Sequence, residues 1–183
     1  MFFVSCTFDY GEPDGTESDQ PNLIMENVEY VRVRSADPIA RFQAERAERY
    51  EKQRLMKLQN FMFEQYGNRG SNINAVGKAG NAEVNIDSGD ILMDRGVRIE
   101  VESEDIILET YQIEWKDESR TIYTRENSIV TIFQENGTSF SGIGLHADAR
   151  KRTWGFLGNV NGTFVIDDIE EEEEEKEGEE VEN

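Results

Sequence analysis

Ile129-Val130-Thr131-Ile132-Phe133-Gln134-Glu135-Asn136-Gly137-Thr138-Ser139-Phe140-Ser141-Gly142 is the stretch that decides the fold. Five β-branched or aromatic residues stand together, an Asn-Gly pair follows, and a second short run begins at Thr138. Such side chains fit a pleated surface, and Asn-Gly accepts the positive φ of a tight hairpin turn. The stretch predicts two antiparallel strands joined at Asn136-Gly137.

The same texture extends upstream. Val97, Ile99 and Val101 alternate with Arg98 and Glu100, and Tyr111, Ile113 and Trp115 alternate with Gln112 and Glu114. Asp87-Ser88-Gly89-Asp90 and Lys116-Asp117-Glu118-Ser119 read as turns between such runs. Short strands recurring at this spacing predict a mainly β domain over residues 67–169, an antiparallel β-sandwich or a barrel-like sheet.

Residues 37–66 read differently. Ile39, Phe42, Ala47, Tyr50, Leu55, Leu58, Met62 and Tyr66 recur at roughly helical spacing, with Arg41, Glu45, Arg49 and Lys52 between them. Asp37 suits a helix cap, Pro38 the first helical position and Gly67 the stop. The expectation is an N-terminal amphipathic helix, docked on its own domain or offered to a partner. Residues 1–36 are acidic and irregular, apart from a short strand at Val28–Arg34. Residues 170–183 hold ten Glu against Lys176 and predict a disordered Glu-rich tail.

Charge and composition exclude several functions. The net charge is −20 and no segment offers the basic stripe that nucleic-acid binding requires, which sets that class aside and leaves basic partners and divalent cations electrostatically welcome. Cys6 is the only cysteine and His146 the only histidine, which excludes an intrachain disulfide and multi-histidine metal sites. No Gly-x-Ser-x-Gly elbow or phosphate loop is present, so the chain reads as a non-enzyme, with His146 in an ordinary turn or surface position. The apolar start Met1–Cys6 lacks a basic flank and nothing reaches the length of a membrane span, so any export signal is expected outside this chain.

Trp154-Gly155-Phe156-Leu157-Gly158-Asn159-Val160-Asn161-Gly162, followed by Asp167-Asp168, reads as a glycine-rich loop between apolar anchors. It resembles the closing signature of von Willebrand factor type D domains, with Leu157 as in the cysteine-poor branch of membrane mucins and Mesh-type adhesion proteins. The resemblance spans about residues 61–168 and is specific over 127–168. It implies an extracellular or cell-surface, non-enzymatic adhesion or assembly module within a longer protein. Asn159, Asn161, Asp167 and Asp168 are then the candidate Ca2+ ligands, oxygen donors of the kind that ion takes. Asn136-Gly137-Thr138 and Asn161-Gly162-Thr163 are N-glycosylation sequons, at Asn136 and Asn161, should the chain enter a secretory pathway. The alternative is an intracellular, cytoplasmic acidic-tailed scaffold or chaperone-like protein, holding basic clients with its tail.

Overall fold

A computed structural model describes residues 20–166. Ten strands follow one another: β1 (Leu23–Arg34), β2 (Asp37–Tyr50), β3 (Leu55–Gly67), β4 (Asn72–Asn85), β5 (Ile91–Val101), β6 (Ile106–Lys116), β7 (Thr121–Tyr123), β8 (Ile129–Gln134), β9 (Ser139–Asp148) and β10 (Thr153–Thr163). All pairings are antiparallel in one sheet that follows chain order, except that β7 and β8 lie end to end between β6 and β9.

One line of irregularities crosses this sheet. Asn27 in β1, Asn60 in β3, Arg95-Gly96 in β5, Gly144 in β9 and Asn159 in β10 have positive φ. The register slips between Lys78 and Asn81, between Asp94 and Val97, and between Gly158 and Asn161. The Thr124–Ser128 connection, which separates β7 from β8, falls on the same line. Extra residues of this kind bend a strand and increase its twist. Asn tolerates the left-handed region, and Gly96 at φ 83° has no Cβ to clash there. Side chains brace the line as well: Asn60 donates to Glu45 and Asn81 to Asp94.

The crease divides the strands into two leaves. The first carries the β1–β2, β3–β4, β5–β6 and β8–β9 turns at its rim; the second carries the β2–β3, β4–β5, β6–β7 and β9–β10 turns. Two core rows flank the crease. Val28, Ala44, Phe61, Ala79, Val97 and Thr110 stand on the first leaf, and Met25, Ala47, Leu58, Ala82, Met93 and Ile113 on the second. Phe61, Val97, Ile113, Val130, Ile132 and Leu145 are almost completely buried. A flat sheet leaves both faces wet, so side chains buried this deeply need a cover. Among the described residues that cover is the sheet itself, folded leaf on leaf. Two ion pairs confirm that the rims meet: Arg32 in β1 lies 3.6 Å from Asp117 in the β6–β7 turn, and Glu104 in the β5–β6 turn lies 3.7 Å from Arg152 in the β9–β10 turn. Burial of Phe61 alone contributes about 1.5–3 kcal/mol.

The outer face is charged and internally paired. Arg46 bridges Glu26 (2.7 Å) and Glu48 (2.8 Å), Tyr50 donates to Glu48 (2.8 Å), and Arg98 bridges Glu100 (2.9 Å) and Glu109 (2.5 Å). Donation from the Tyr50 hydroxyl, with the Arg46 guanidinium, holds the Glu48 carboxyl below the usual carboxylate range.

The mainly β, antiparallel expectation holds, but the N-terminal helix over 37–66 does not. Those residues form β2, β3 and the turn between them. The error has a physical source in the crease. Inward-facing residues step by two along a strand, yet where the crease crosses they step by three: Ala44 to Ala47 and Leu58 to Phe61. Twos and threes mixed over two strands mimic a helical period. Pro38 opens a strand, another position that tolerates it, and Ser35-Ala36 turn the β1–β2 hairpin with φ of 52° and 70°. The short strand expected at Val28–Arg34 starts earlier, at Leu23. The loop expected from Trp154 onward is largely the strand β10. At Asn136-Gly137 the hairpin is present, with Gly137 alone at positive φ (88°). The Glu-rich tail lies outside the described residues.

Candidate functional site

The inner face of the first leaf beyond the core row forms one continuous band. Tyr30, Phe42, Phe63, Gly77, Ile99, Leu108, Ile132 and Phe140 are register partners in succession from β1 to β9. The rings of Tyr30 and Phe42 stack with centroids 6.2 Å apart, and Phe61 stands 5.9 Å from Phe42 and 6.1 Å from Phe63. A side chain at Gly77 would overlap the Phe63 ring, so glycine there lets that ring lie flat on β4.

The second leaf answers with Met56, Val84, Ile91, Trp115, Ile122, Ala147 and Trp154, again register partners in succession. Trp154 packs edge-on against Phe156 at 5.7 Å and lies 6.1 Å from Phe140. The two bands hold no carboxylate, amine or imidazole. They can shelter an apolar chain, and the second band runs on from Met56 to its register partner Arg49, which is ion-paired to Glu51 at 2.8 Å.

Where the bands reach the edge strands β1 and β10, burial gives way to exposure. Tyr30 is 59% exposed and Trp154 42%. The Arg32–Asp117 and Glu104–Arg152 pairs stand at the rim. Asp117 is held in place by the Trp115 indole N–H (3.3 Å) and by its own N–H, which donates to Asp90 (3.1 Å). Burial pushes the Asp90 carboxyl up, but the Asp117 N–H, Lys116 and Ser88 together outweigh it, and its pKa is lowered. A separate groove of about 290 Å³ lies on the outer face around Met62, Val76 and Lys78, lined also by the ion-paired Arg41 and Arg98.

Among the described residues, β1 pairs only with β2 and β10 only with β9, so each presents a free edge. Both edges carry exposed apolar side chains: Ile24, Val31 and Val33 on β1, Leu157 and Val160 on β10. An uncovered apolar edge is a template for pairing with another strand.

The residues singled out in the sequence fall elsewhere. Asn159 occupies the β10 bulge at φ 50°, and the Asn161 amide N–H reaches the Asn159 carbonyl at 3.5 Å. Asp167 and Asp168 lie outside the described residues, so the four candidate Ca2+ ligands are not described together. The Asn136 side-chain oxygen accepts the Thr138 N–H at 2.9 Å and shapes the β8–β9 turn. His146 is on β9 with its ring 4.8 Å from that of Tyr123. The apolar bands went unseen in the sequence. Their signal was present in Val97/Ile99 and Ile132, but the crease masked it in β2 and β3. Among the described residues no helix is long and apolar enough to cross a membrane.

Comparison with known proteins gives this geometry a family. A family model described as lipopolysaccharide-assembly, LptC-related, matches residues 4–165, the greater part of the chain. Among solved structures, the fold is similar to LptH of Pseudomonas aeruginosa, described as the LptA-homologous periplasmic component of the conserved lipopolysaccharide transport device. The TM-score is 0.54 at 13% identity, over 69% of this chain and 95% of that one. No curated protein matches the chain by sequence.

These findings overturn the resemblance to von Willebrand factor type D domains. With it fall the extracellular adhesion or assembly module, the cell-surface placement and the calcium-binding glycoprotein description. The intracellular acidic-tailed scaffold in the cytoplasm falls too. A Gly-Asn-x-Asn-Gly run misled because here it forms a bulged edge strand and not a closing loop. The chain belongs to the lipopolysaccharide-assembly, LptC-related family.

Proposed function

We propose that this protein is a non-catalytic periplasmic component of a lipopolysaccharide transport bridge. Its folded sheet shelters the acyl chains of the lipid between the two leaves. Its free edges extend the sheet into neighbouring bridge proteins, so that one apolar interior continues into the next. The observation that carries this reading is the pair of register-aligned apolar bands, free of carboxylate, amine and imidazole groups and open at the edge strands. Family membership supports it, as does the fold shared with a periplasmic transport component.

An apolar interior distinguishes the two ends of lipopolysaccharide by chemistry. Acyl chains gain about 0.8 kcal/mol per methylene withdrawn from water. The sugar portion gains nothing from such a surface and stays outside.

Trp115 and Trp154, the only tryptophans, report on the second band. Intact lipopolysaccharide is expected to shift their emission to the blue, with saturation, and the deacylated molecule is expected to leave it unchanged. Equal binding of the deacylated sugar would contradict the proposal.

A further inference from the structure

The fold has a bend on one side and electrostatic contacts on the other, and the two differ in strength. At the crease β1, β3, β5, β9 and β10 pass through a left-handed residue, and the chain runs on from one leaf to the other in every long strand. At the opposite rim the described cross-leaf ion pairs are Arg32–Asp117, at 3.6 Å, and Glu104–Arg152, at 3.7 Å.

Both pairs have the same logic. One partner sits on the first leaf (Arg32, Glu104) and the other on the second (Asp117, Arg152), and the polarity is opposite in the two. Arg32 follows Val28 and Tyr30 at two-residue steps along β1, so it shares their inward-facing side. Its guanidinium therefore spans the mouth of the interior instead of lying on the outer face, where Arg41, Arg46 and Arg98 pair with neighbouring strands. Asp117 is pre-positioned by Trp115, a member of the second band, so this contact couples the rim to the apolar lining.

We infer that these two ion pairs form a latch across the mouth of the interior, opening about the crease to admit an acyl chain sideways. The inference rests on the interior being the acyl-chain site. Exposed pairs of this kind are individually weak and are screened by salt. A weak latch is what a passage needs: it holds the two leaves together at rest and yields without unfolding the sheet. The buried rows beside the crease remain packed while the rim separates.

The test uses the full chain with Cys6→Ser and spin labels at cysteines introduced in place of Ser35 and Glu118, on the rims of opposite leaves. Arg32→Gln with Arg152→Gln keeps bulk and removes both attractions. It is expected to raise the long-distance population about threefold to tenfold. The melting temperature should move by only a few degrees. Salt at about 1 M, where the screening length is about 3 Å, should shift the parent protein the same way and the double variant much less. Glu104→Arg combined with Arg152→Glu, which reverses the second pair, should restore the parent distribution relative to Glu104→Arg alone.

An unchanged distribution in the double variant, or a reversed pair as open as Glu104→Arg alone, would overturn the latch. Opening in the double variant without any lipopolysaccharide binding by either protein would leave the latch standing and remove the acyl-chain reading beneath it.

Discussion

The crease and the rim are two sides of one interior, built by opposite means. At the crease, Asn27, Asn60, Arg95 and Gly96 hold backbone conformations that few residues adopt, and fully buried Phe61 and Ile113 pack beside them. Away from it, the rings of Tyr30 and Trp154 are part-wet, and the leaves are joined by two ion pairs and by the contact of the Trp154 ring with Phe140. The difference teaches that shape is fixed by backbone geometry and close packing, whereas access is governed by contacts weak enough to break. The same sheet is a rigid wall at one side and a yielding seam at the other.

Substitution of a ring on each side should separate them most widely. Phe61→Ala beside the crease is expected to cost about 3–5 kcal/mol in denaturant unfolding, through lost transfer energy and the cavity left behind. Tyr30→Ala on the edge strand β1 should cost about 1 kcal/mol or less, since much of that ring is already in water. Comparable losses at the two positions would erase the contrast.

Backbone strain gives the next contrast. Gly96→Val forces a β-branched residue into φ 83° and is expected to cost about 1–3 kcal/mol. Gly155→Ala, where an added Cβ meets nothing within 4 Å, should stay within about 0.5 kcal/mol. If Gly96→Val proved as mild as Gly155→Ala, the crease would not depend on its left-handed residues.

Acid should act on the outer face and spare the bands. Glu48 is lowered by the Tyr50 hydroxyl and Arg46, Asp87 by Arg54, and Asp148 by the Lys151 N–H. A lowered carboxyl binds its proton less readily in the native state. Its stabilisation is therefore fully present above the unfolded values, about 3.9 for Asp and 4.3 for Glu, and is lost as pH falls through the lower folded ones. The melting temperature should hold from pH 7 to about 5 and then fall. Tyr50 and Tyr66, raised by their bonds to Glu48 and Glu64, act in the opposite direction: their contribution is present below about pH 10 and fades above it. A melting temperature that rose on acidification would reverse the assigned signs.

The smallest effect on stability is expected at the free edge. Leu157→Lys with Val160→Lys replaces two exposed apolar residues of β10, 65% and 55% accessible, and should change folding stability by about 0.5 kcal/mol or less. The same pair should abolish cross-linking to a neighbouring sheet protein, because charge blunts a pairing edge. Retained cross-linking would remove β10 from the bridge.

Much of the sheet was legible in the sequence where the strands are regular. Val97-Arg98-Ile99-Glu100-Val101 and Ile129–Phe133 alternate or cluster as strands do, and the turns at Asp87–Asp90 and Lys116–Ser119 fall where expected. Legibility failed where the crease inserts a residue. In β2 and β3 it changes the inward step from two to three, and β2 is so rich in Arg and Glu that the pattern passes for a helix. The interior was illegible for a further reason. Its continuity depends on register partners spread across eight strands, and no local window contains both Tyr30 and Phe140. The resemblance carried by the Asn-x-Asn run near the end was local, and the family match over residues 4–165 overturned it.

The central claim, that acyl chains lie between the leaves, is tested most directly by alternating photo-crosslinking. Phe63 faces the inner band, while its neighbour Met62, 53% exposed, faces outward. A benzophenone side chain placed at residue 63 should cross-link to lipopolysaccharide through its acyl chains, and one at residue 62 should not. Cross-linking from residue 62 and not from residue 63 would contradict the claim.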